Sequence, residues 1–129
     1  MSETVYVLDS SALLAAMLEE PGVDRVEAVL GRAMISAVNL SEVVAKLQER
    51  GVPDADSDIE IEDADVTVIP FDEALAIAAG RMRMSTRSKG LSFGDRACIA
   101  LGQRLNATVL TADRAWGDLD LGVTIELIR

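Results

Sequence analysis

The chain has 129 residues, half of them hydrophobic, which suits one compact domain with its own core and leaves no room for a second. It contains no histidine and a single cysteine, Cys98, so imidazole zinc sites, Ser-His-Asp triads, histidine general bases and an intramolecular disulfide are excluded. The acid in the N-terminal segment MSETVYVLDSS and the lack of any run of about 20 apolar residues argue against a secretory signal or a membrane span, and we expect a cytoplasmic protein.

The first half of the chain alternates strand-forming with helix-forming segments. Short runs rich in Val, Ile and Tyr indicate strands, and longer runs rich in Ala, Leu and Glu indicate helices. Gly and Pro punctuate the boundaries between them. These patterns predict a strand at 4–8, helices at 11–20 and 23–32, a strand at 33–36 and a helix at 38–50.

The second half opens on an acidic segment and then resumes the alternation. Residues 54–65 hold seven acids and no base, so we expect either an exposed connection or the polar part of a helix. Gly90 should break the long helix that follows, and Ser92 should cap the next one. The patterns predict a strand at 66–70, helices at 71–90 and 92–105, and strands at 107–111 and 123–128.

This order predicts an α/β fold with a mostly parallel sheet of four to five strands. Parallel strands need crossover connections, which place helices on both faces of the sheet. In such sheets ligands bind beyond the carboxyl ends of the strands, where the strand order reverses. If the strands at 4–8 and 107–111 are neighbours, side chains that follow them can reach one bound group.

Four acidic residues lie where one predicted element gives way to the next, two after strands and two near helix starts. Carboxylates that converge on one pocket repel each other and require a cation to stay ionised together. Oxygen ligands without histidine or further cysteine favour Mg²⁺ or Mn²⁺. The proposed ligands are Asp9, Glu42, Asp95 and Asp113.

Each of these acids also has a purely structural interpretation. Asn39-x-x-Glu42 and Ser92-x-x-Asp95 have the spacing of capping boxes, in which the acid accepts from a free backbone N–H at the helix start. Asp9 suits a helix cap, and Asp113 suits a turn. Four coincident placements favour a shared site over four separate caps.

Positive charge is concentrated in one part of an acidic chain. The net charge is −10, yet residues 81–114 hold seven Lys and Arg against two acids. Two of the proposed ligands lie in this basic stretch, which would draw a polyanion towards a negative pocket. A solvated helix face is the alternative interpretation.

The segments VLDSSALLA, NLSEVVAKL, LSFGDRACIALG and VLTADRAW together resemble the PIN-domain ribonucleases, most closely the VapC toxins of bacterial type II toxin–antitoxin pairs. The resemblance runs along nearly the whole chain. It implies a three-layer α/β/α sandwich, an acidic Mg²⁺ or Mn²⁺ site and endonucleolytic cleavage of RNA.

Carried over by position, the four acids fall on the acidic quartet of that family. Thr111 matches the hydroxyl residue beside the last acid, and Asp118 is a weaker candidate for an outer ligand. Ser10, like Thr111, would hydrogen-bond the metal ligands. The acidic segment 54–65 departs from the family pattern.

Three further residues could contact RNA. Arg96 and Arg114 each follow a proposed ligand and could bind phosphate, with surface packing as the alternative. Trp116 could stack on an unpaired base, with core packing as the alternative.

The resemblance also implies partners. A VapB-like antitoxin would insert a basic side chain among the acids, and a homodimer is expected. A non-catalytic interaction module on the same fold, in which the acids serve only as caps, is the competing hypothesis. Titration with Mn²⁺ separates the two.

Overall fold

The structure is a computed structural model that describes residues 4–129. Its centre is a five-stranded sheet in the order β3-β2-β1-β4-β5, and every neighbouring pair is parallel. The α/β class and the parallel sheet predicted from the sequence are confirmed. The strands are β1 (Tyr6–Leu8), β2 (Ala33–Ser36), β3 (Thr67–Ile69), β4 (Thr108–Thr111) and β5 (Thr124–Leu127).

Seven α-helices and three short 3-10 helices connect these strands. The 3-10 helices are Leu30–Arg32, Arg87–Lys89 and Arg114–Asp118. The α-helices are α1 (Ser10–Met17), α2 (Val23–Glu27), α3 (Ala37–Glu49), α4 (Asp54–Ala64), α5 (Glu73–Arg81), α6 (Arg83–Thr86) and α7 (Phe93–Leu105).

The sheet separates two hydrophobic cores, which makes the fold a three-layer sandwich. Successive side chains of a strand point to opposite faces, and β1 follows this rule. Leu8 packs in a core with residues of α1, α2 and α3, whereas Val7 packs in a second core with residues of α5 and α7. The crossovers between β1, β2 and β3 therefore cover one face, and the crossover from β3 to β4 covers the other.

Two of the predicted helices are interrupted. The segment 23–32 forms α2 and then a 3-10 turn. The segment 71–90 is interrupted at Met82, whose carbonyl accepts from the hydroxyls of Ser85 and Thr86. The same carbonyl also accepts from the Thr86 N–H, whereas the Met82 N–H bonds the Ala79 carbonyl three residues back, as in a 3-10 turn. Gly90, at φ +70, ends the segment as predicted.

The acidic segment is a helix, α4, which confirms the second of the two expectations for it. It follows Pro53 and ends where Asp65 takes a left-handed conformation. Within residues 4–129 no helix is long and apolar enough to cross a membrane.

The order of strands reverses between β1 and β4. The chain adds β2 and β3 on one side of β1 and then returns to place β4 on the other side. In the register of this pair Leu8 lies opposite Leu110. Asp9 and Thr111, the next residues, therefore leave the sheet side by side at its carboxyl edge, where ligands bind in folds of this type.

Candidate metal centre

Asp9 lies at the carboxyl end of β1 and caps helix α1. Its backbone N–H donates to the Leu110 carbonyl of the neighbouring strand. Its Oδ1 accepts from the Ala12 N–H at 2.8 Å, which satisfies a donor that the first turn of a helix leaves free. The predicted capping role is therefore confirmed, and the cap also fixes the carboxylate at the point where the strand order reverses.

Two hydroxyls tie Asp9 to the end of β4. The Thr111 hydroxyl donates to Asp9 Oδ2 at 2.5 Å and accepts from the Asp113 N–H at 3.0 Å. The Ser11 hydroxyl donates to Asp9 Oδ1 at 2.7 Å and accepts from the Ala112 N–H at 2.9 Å. The carboxylate is thus held from both strands by a network that orients it.

The buried position of Asp9 opposes its ionisation. Its side chain is only 5% exposed. Burial raises the pKa of the Asp9 carboxyl from 3.8 to about 6 although hydrogen bonds from Thr111, Ser11 and Ala12 lower it, and the charge of Asp95 raises it further. A buried carboxylate with a raised pKa at the carboxyl edge of a parallel sheet is typical of a functional site.

Glu42 approaches from the first half of helix α3 and lies against helix α7. Its Oε1 accepts from the Asn39 side chain at 2.8 Å, and the same amide donates to the Gly94 carbonyl at 3.0 Å. A Cβ built at Gly94 would lie 2.6 Å from the carboxyl carbon of Glu42, well inside van der Waals contact. Glycine at this position is what allows the carboxylate to sit on the helix.

Asp95 is held by the cap of helix α7. The Ser92 hydroxyl accepts from the Asp95 N–H at 3.2 Å, and Asp95 Oδ2 accepts from the Ser92 N–H at 2.9 Å. The capping box predicted at Ser92 is present. The one predicted at Asn39 is wrong, because β2 ends directly at Ser36 and that residue, three positions earlier, caps α3.

Cys98 reports how close three of the acids lie to one another. This thiol is fully buried in the second core. Burial raises its pKa well above 9.0, and the charges of Asp9, Asp95 and Glu42 raise it further. The charges of three of the four proposed ligands therefore act on one buried thiol, although they come from positions 9, 42 and 95 of the sequence.

Asp113 is joined to this group through Thr111. It caps the 3-10 helix Arg114–Asp118, and its Oδ1 accepts from the Ala115 N–H at 3.0 Å. Its carboxylate is exposed. The predicted turn is thus present, and the Thr111 hydroxyl links the Asp113 backbone directly to Asp9.

The four carboxylates share one design, in which a short-range hydrogen bond positions one oxygen of each. Within residues 4–129 the second oxygen of Glu42, Asp95 and Asp113 accepts no hydrogen bond, and Asp9 Oδ2 accepts only one. Capping and metal binding are therefore compatible functions of the same residues. Carboxylate oxygens are the ligand type that Mg²⁺ and Mn²⁺ prefer, so the chemistry of these four residues fits either cation. No three acids of the described chain are close enough to form a ready-made cation cage.

Three expectations for the surrounding residues are wrong or need revision. Trp116 is 1% exposed and packs in the second core, so it cannot stack on RNA. Arg96 donates from Nη1 to the Ala79 carbonyl at 2.9 Å, which engages it between helices α7 and α5. Of the two adjacent serines, Ser11 is the one that donates to Asp9. Within residues 4–129 the hydroxyl of Ser10, the first residue of α1, bonds none of the acids.

Arg114 and Asp118 keep their proposed roles as predictions. Both are exposed, at the two ends of the 3-10 helix that Asp113 caps. Arg114 forms no ion pair within the described chain.

Sequence reasoning missed Ser11, Asn39 and Gly94. Ser11 follows Ser10, and only the direction of α1 decides which of two adjacent hydroxyls meets Asp9. Asn39 lies three residues before Glu42, a spacing that places both on one helix face once the helix is known to start at Ala37. Gly94 could have been suspected as a glycine inside a helix next to a proposed ligand.

Comparison with known proteins agrees with this architecture. A family model described as PIN domain matches residues 6–121. A search of curated proteins found no match. Among solved structures, the chain is similar to DNA-bound VapBC from Salmonella typhimurium, with a TM-score of 0.77, 20% identity and coverage of 98% of this chain and 100% of that one.

Two further solved structures have the same fold. VapBC2 from Rickettsia felis, bound to a DNA fragment from its promoter, gives a TM-score of 0.74 at 18% identity, over 96% of this chain and 98% of the other. VapBC-5 from Mycobacterium tuberculosis, a member of the VapBC family of toxin–antitoxin systems, gives 0.60 at 23% identity, over 98% and 99%.

Proposed function

Because this chain belongs to the PIN domain family, we propose that it is a metal-dependent endoribonuclease, the toxin of a VapBC-type toxin–antitoxin pair. Asp9, Asp95 and Asp113 bind Mg²⁺ or Mn²⁺ directly, and Glu42 binds it directly or through a water. The reaction is hydrolysis of an RNA phosphodiester bond. A divalent cation at this position supplies a water of lowered pKa and neutralises charge on the leaving oxygen.

The observation that carries this proposal is the position of Asp9. A helix cap needs only an oxygen acceptor, which Asn or Ser supplies without charge. This chain instead buries an ionisable group at 5% exposure, where the strand order reverses and where Asp95 and Glu42 lie nearby. An unpaired buried carboxylate destabilises the fold unless a cation compensates it. That cost disfavours a non-catalytic module in which the acids are only caps.

The protein's own groups orient the reaction. Thr111 and Ser11 hold the Asp9 carboxylate, and Asn39 holds that of Glu42. Such outer hydrogen bonds fix the direction of a ligand and tune its basicity. The free oxygen of Glu42 is suited to accept the proton of the attacking water. Arg114 is available to contact a phosphate oxygen.

The partner of this toxin is a VapB-like antitoxin. Several of the solved structures to which the chain is similar are described as VapBC proteins or toxin–antitoxin complexes. A basic side chain of the antitoxin among the acids would occupy the place of the cation, because both are attracted by the same negative charge. Antitoxin and metal would therefore compete. The toxin would act as a homodimer in the cytoplasm, where its RNA substrates are.

The test is cleavage of a labelled RNA by the purified protein with Mg²⁺ or with EDTA. Asp9→Asn, Glu42→Gln, Asp95→Asn and Asp113→Asn should each abolish the metal-dependent cleavage. Asp58→Asn, which removes an exposed acid of α4, is the matched control and should cleave as wild type. Cleavage that survives EDTA or the Asp9 and Asp95 substitutions would overturn the proposal.

A further inference from the structure

Phe93 is the exposed aromatic residue of this chain. The sequence contains four aromatic side chains, all of them within residues 4–129. Trp116 is 1% exposed and Tyr6 9% exposed, and Phe71 is partly buried against the second core. Phe93 is 51% exposed. Folding thus removes Trp116 from the surface and leaves another ring accessible beside the acids.

Phe93 lies two residues before Asp95 in the sequence, at the start of the helix that forms part of the candidate metal centre. It is the first residue of α7, between the cap Ser92 and Gly94, against which the Glu42 carboxylate lies. Consecutive Cα atoms are about 3.8 Å apart. The next residue after Gly94 is Asp95, a proposed ligand. The backbone that carries the Phe93 ring is therefore the start of the helix that carries Asp95 and against which Glu42 lies.

The Phe93 ring is fixed from behind. It meets the Phe71 ring edge to face, with centroids 5.5 Å apart and an interplanar angle of 80°. The Arg96 guanidinium lies 6.0 Å from its centroid. Because Arg96 is itself bonded to the Ala79 carbonyl, this contact anchors the ring to helix α5. A ring held in one orientation loses little entropy when a base stacks on it.

Positive charge without an ion pair lies in the segment that leads from helix α5 to helix α7 within the described chain. We define the basic segment as residues 81–89, which contain the exposed residues Arg81, Arg83, Arg87 and Lys89. Within residues 4–129 none of these forms an ion pair, whereas Arg104 pairs with Asp72. The basic segment begins at the C-terminal end of α5, close to Ala79, whose carbonyl Arg96 bonds. It ends at Lys89, four residues before Phe93.

We propose that Phe93 is a stacking platform for a base of single-stranded RNA whose phosphates run along the basic segment. This inference rests on the proposed function, since it assigns the substrate class and the side from which the strand reaches the acids. A single exposed ring suits an unpaired base, because bases in a duplex are already stacked. A second copy of the chain packed here about a two-fold axis would bring like charges together.

The test measures binding apart from cleavage. A fluorescein-labelled 12-nucleotide single-stranded RNA of mixed sequence is titrated with protein in EDTA at low salt, and fluorescence anisotropy reports the affinity. We expect Phe93→Ala and Phe93→Leu to weaken binding by about fivefold to a hundredfold, the range for loss of one stacked base. Phe93→Tyr and Phe93→Trp should bind within about twofold of wild type, as should the control Met84→Ala, which truncates a 73% exposed side chain of the basic segment.

A second measurement tests the path of the backbone. Arg83→Gln and Arg87→Gln should each lower the slope of log K against log salt by about 0.7, the value for one phosphate contact with a single strand. Arg50→Gln, outside the basic segment, should leave the slope unchanged. Binding by Phe93→Leu equal to wild type would overturn the proposal. It would also be overturned if Phe93→Ala changed the oligomeric state of the protein and left its affinity for RNA unchanged. If RNA binds through Phe93 but is not cleaved with Mg²⁺, the proposed function fails and this inference stands.

Discussion

The carboxylate of Glu42 lies directly over the Cα of Gly94, in the space that a Cβ would occupy. Asn39 holds the two together, because its amide donates both to Glu42 Oε1 and to the Gly94 carbonyl. Helices α3 and α7, which are far apart in the chain, are thus joined at the candidate metal centre by the Asn39 amide and by the space that the glycine leaves free. The position of Glu42 depends on residue 94 as much as on its own helix.

Gly94→Ala should separate activity from stability. The three atoms nearest to an added Cβ all belong to the end of the Glu42 side chain, which can swing into solvent. Alanine within a helix stabilises by about 0.5 to 1 kcal/mol relative to glycine, so we expect a free energy of unfolding equal to or slightly above wild type. Cleavage should fall at least tenfold because Glu42 is displaced.

The matched control is Gly80→Ala in helix α5. Gly80 has nothing within 4 Å of an added Cβ, so this substitution carries the same gain in helix propensity without moving a ligand. Urea unfolding and RNA cleavage are measured on both variants. Full activity in Gly94→Ala would show that the contact between Glu42 and residue 94 does not matter for catalysis.

Trp116→Phe should affect stability and leave RNA binding unchanged. Trp116 is 1% exposed and its indole N–H has no partner among residues 4–129, so the substitution loses packing volume without breaking a hydrogen bond of the described chain. A smaller ring leaves a cavity in the second core, and we expect a loss of about 1 to 3 kcal/mol. Thermal unfolding and RNA anisotropy are compared with Phe93→Leu, which should show the opposite pattern. Weaker RNA binding by folded Trp116→Phe would restore a surface role for Trp116.

The fold could be predicted because each level of the sequence indicates the same answer. Short apolar strands and amphipathic helices alternate, and this order alone implies parallel pairing and crossovers on both faces. The position of the acids after strands or at helix starts then indicates the carboxyl edge of the sheet. These features are local to each segment. Local preferences predict the fold correctly when they agree with the tertiary structure, as they do here.

The remaining details depend on contacts between distant residues. No local pattern shows that the Trp116 ring turns into the core or that Phe93 stays at the surface, since both follow from packing across helices α5 and α7. The helix is interrupted at Met82, whose N–H bonds the Ala79 carbonyl three residues back, and methionine is a good helix former that marks no break in the sequence. Likewise, one residue of phase in α1 decides between Ser10 and Ser11.

Thr111→Val should weaken the site through Asp9. The hydroxyl of Thr111 is the largest of the influences that lower the pKa of Asp9, and valine preserves the shape of the side chain without the donor. We expect the pKa of Asp9 to rise, the Mg²⁺ concentration for half-maximal cleavage to increase about tenfold, and stability to fall by about 1 to 3 kcal/mol because the Asp113 N–H loses its acceptor.

Two variants control for the substitution at Thr111. Thr111→Ser keeps the hydroxyl and should recover most of the wild-type Mg²⁺ response. Thr108→Val makes the same chemical change on the same strand, at a residue that makes no side-chain hydrogen bond within residues 4–129, and should behave as wild type. An unchanged Mg²⁺ response in Thr111→Val would separate this hydroxyl from metal binding.

Asp9→Asn should stabilise the metal-free protein while it abolishes cleavage, and the gain should depend on pH. The pKa of Asp9 is about 6 in the folded protein and 3.8 in the absence of burial. A raised carboxyl pKa means that the folded state binds the proton more tightly, so its stabilising contribution is complete below pH 4 and is lost as pH rises to 6. Asparagine does not titrate. Each unit of difference between the folded and unfolded pKa of Asp9 corresponds to about 1.4 kcal/mol of stability.

The free energy of unfolding of Asp9→Asn minus that of wild type should therefore be about 2 to 3 kcal/mol more positive at pH 7.5 than at pH 4. Both proteins are unfolded by urea in EDTA at several pH values, which cancels every group that the two share, including the Asp72 and Arg104 pair. Addition of Mg²⁺ at pH 7.5 should raise the melting temperature of wild type and not that of Asp9→Asn, because only the carboxylate binds the cation. A stability difference that is independent of pH would show that the pKa of Asp9 is not raised in the folded protein. An equal Mg²⁺ shift of the melting temperature in both proteins would show that Asp9 is not a metal ligand.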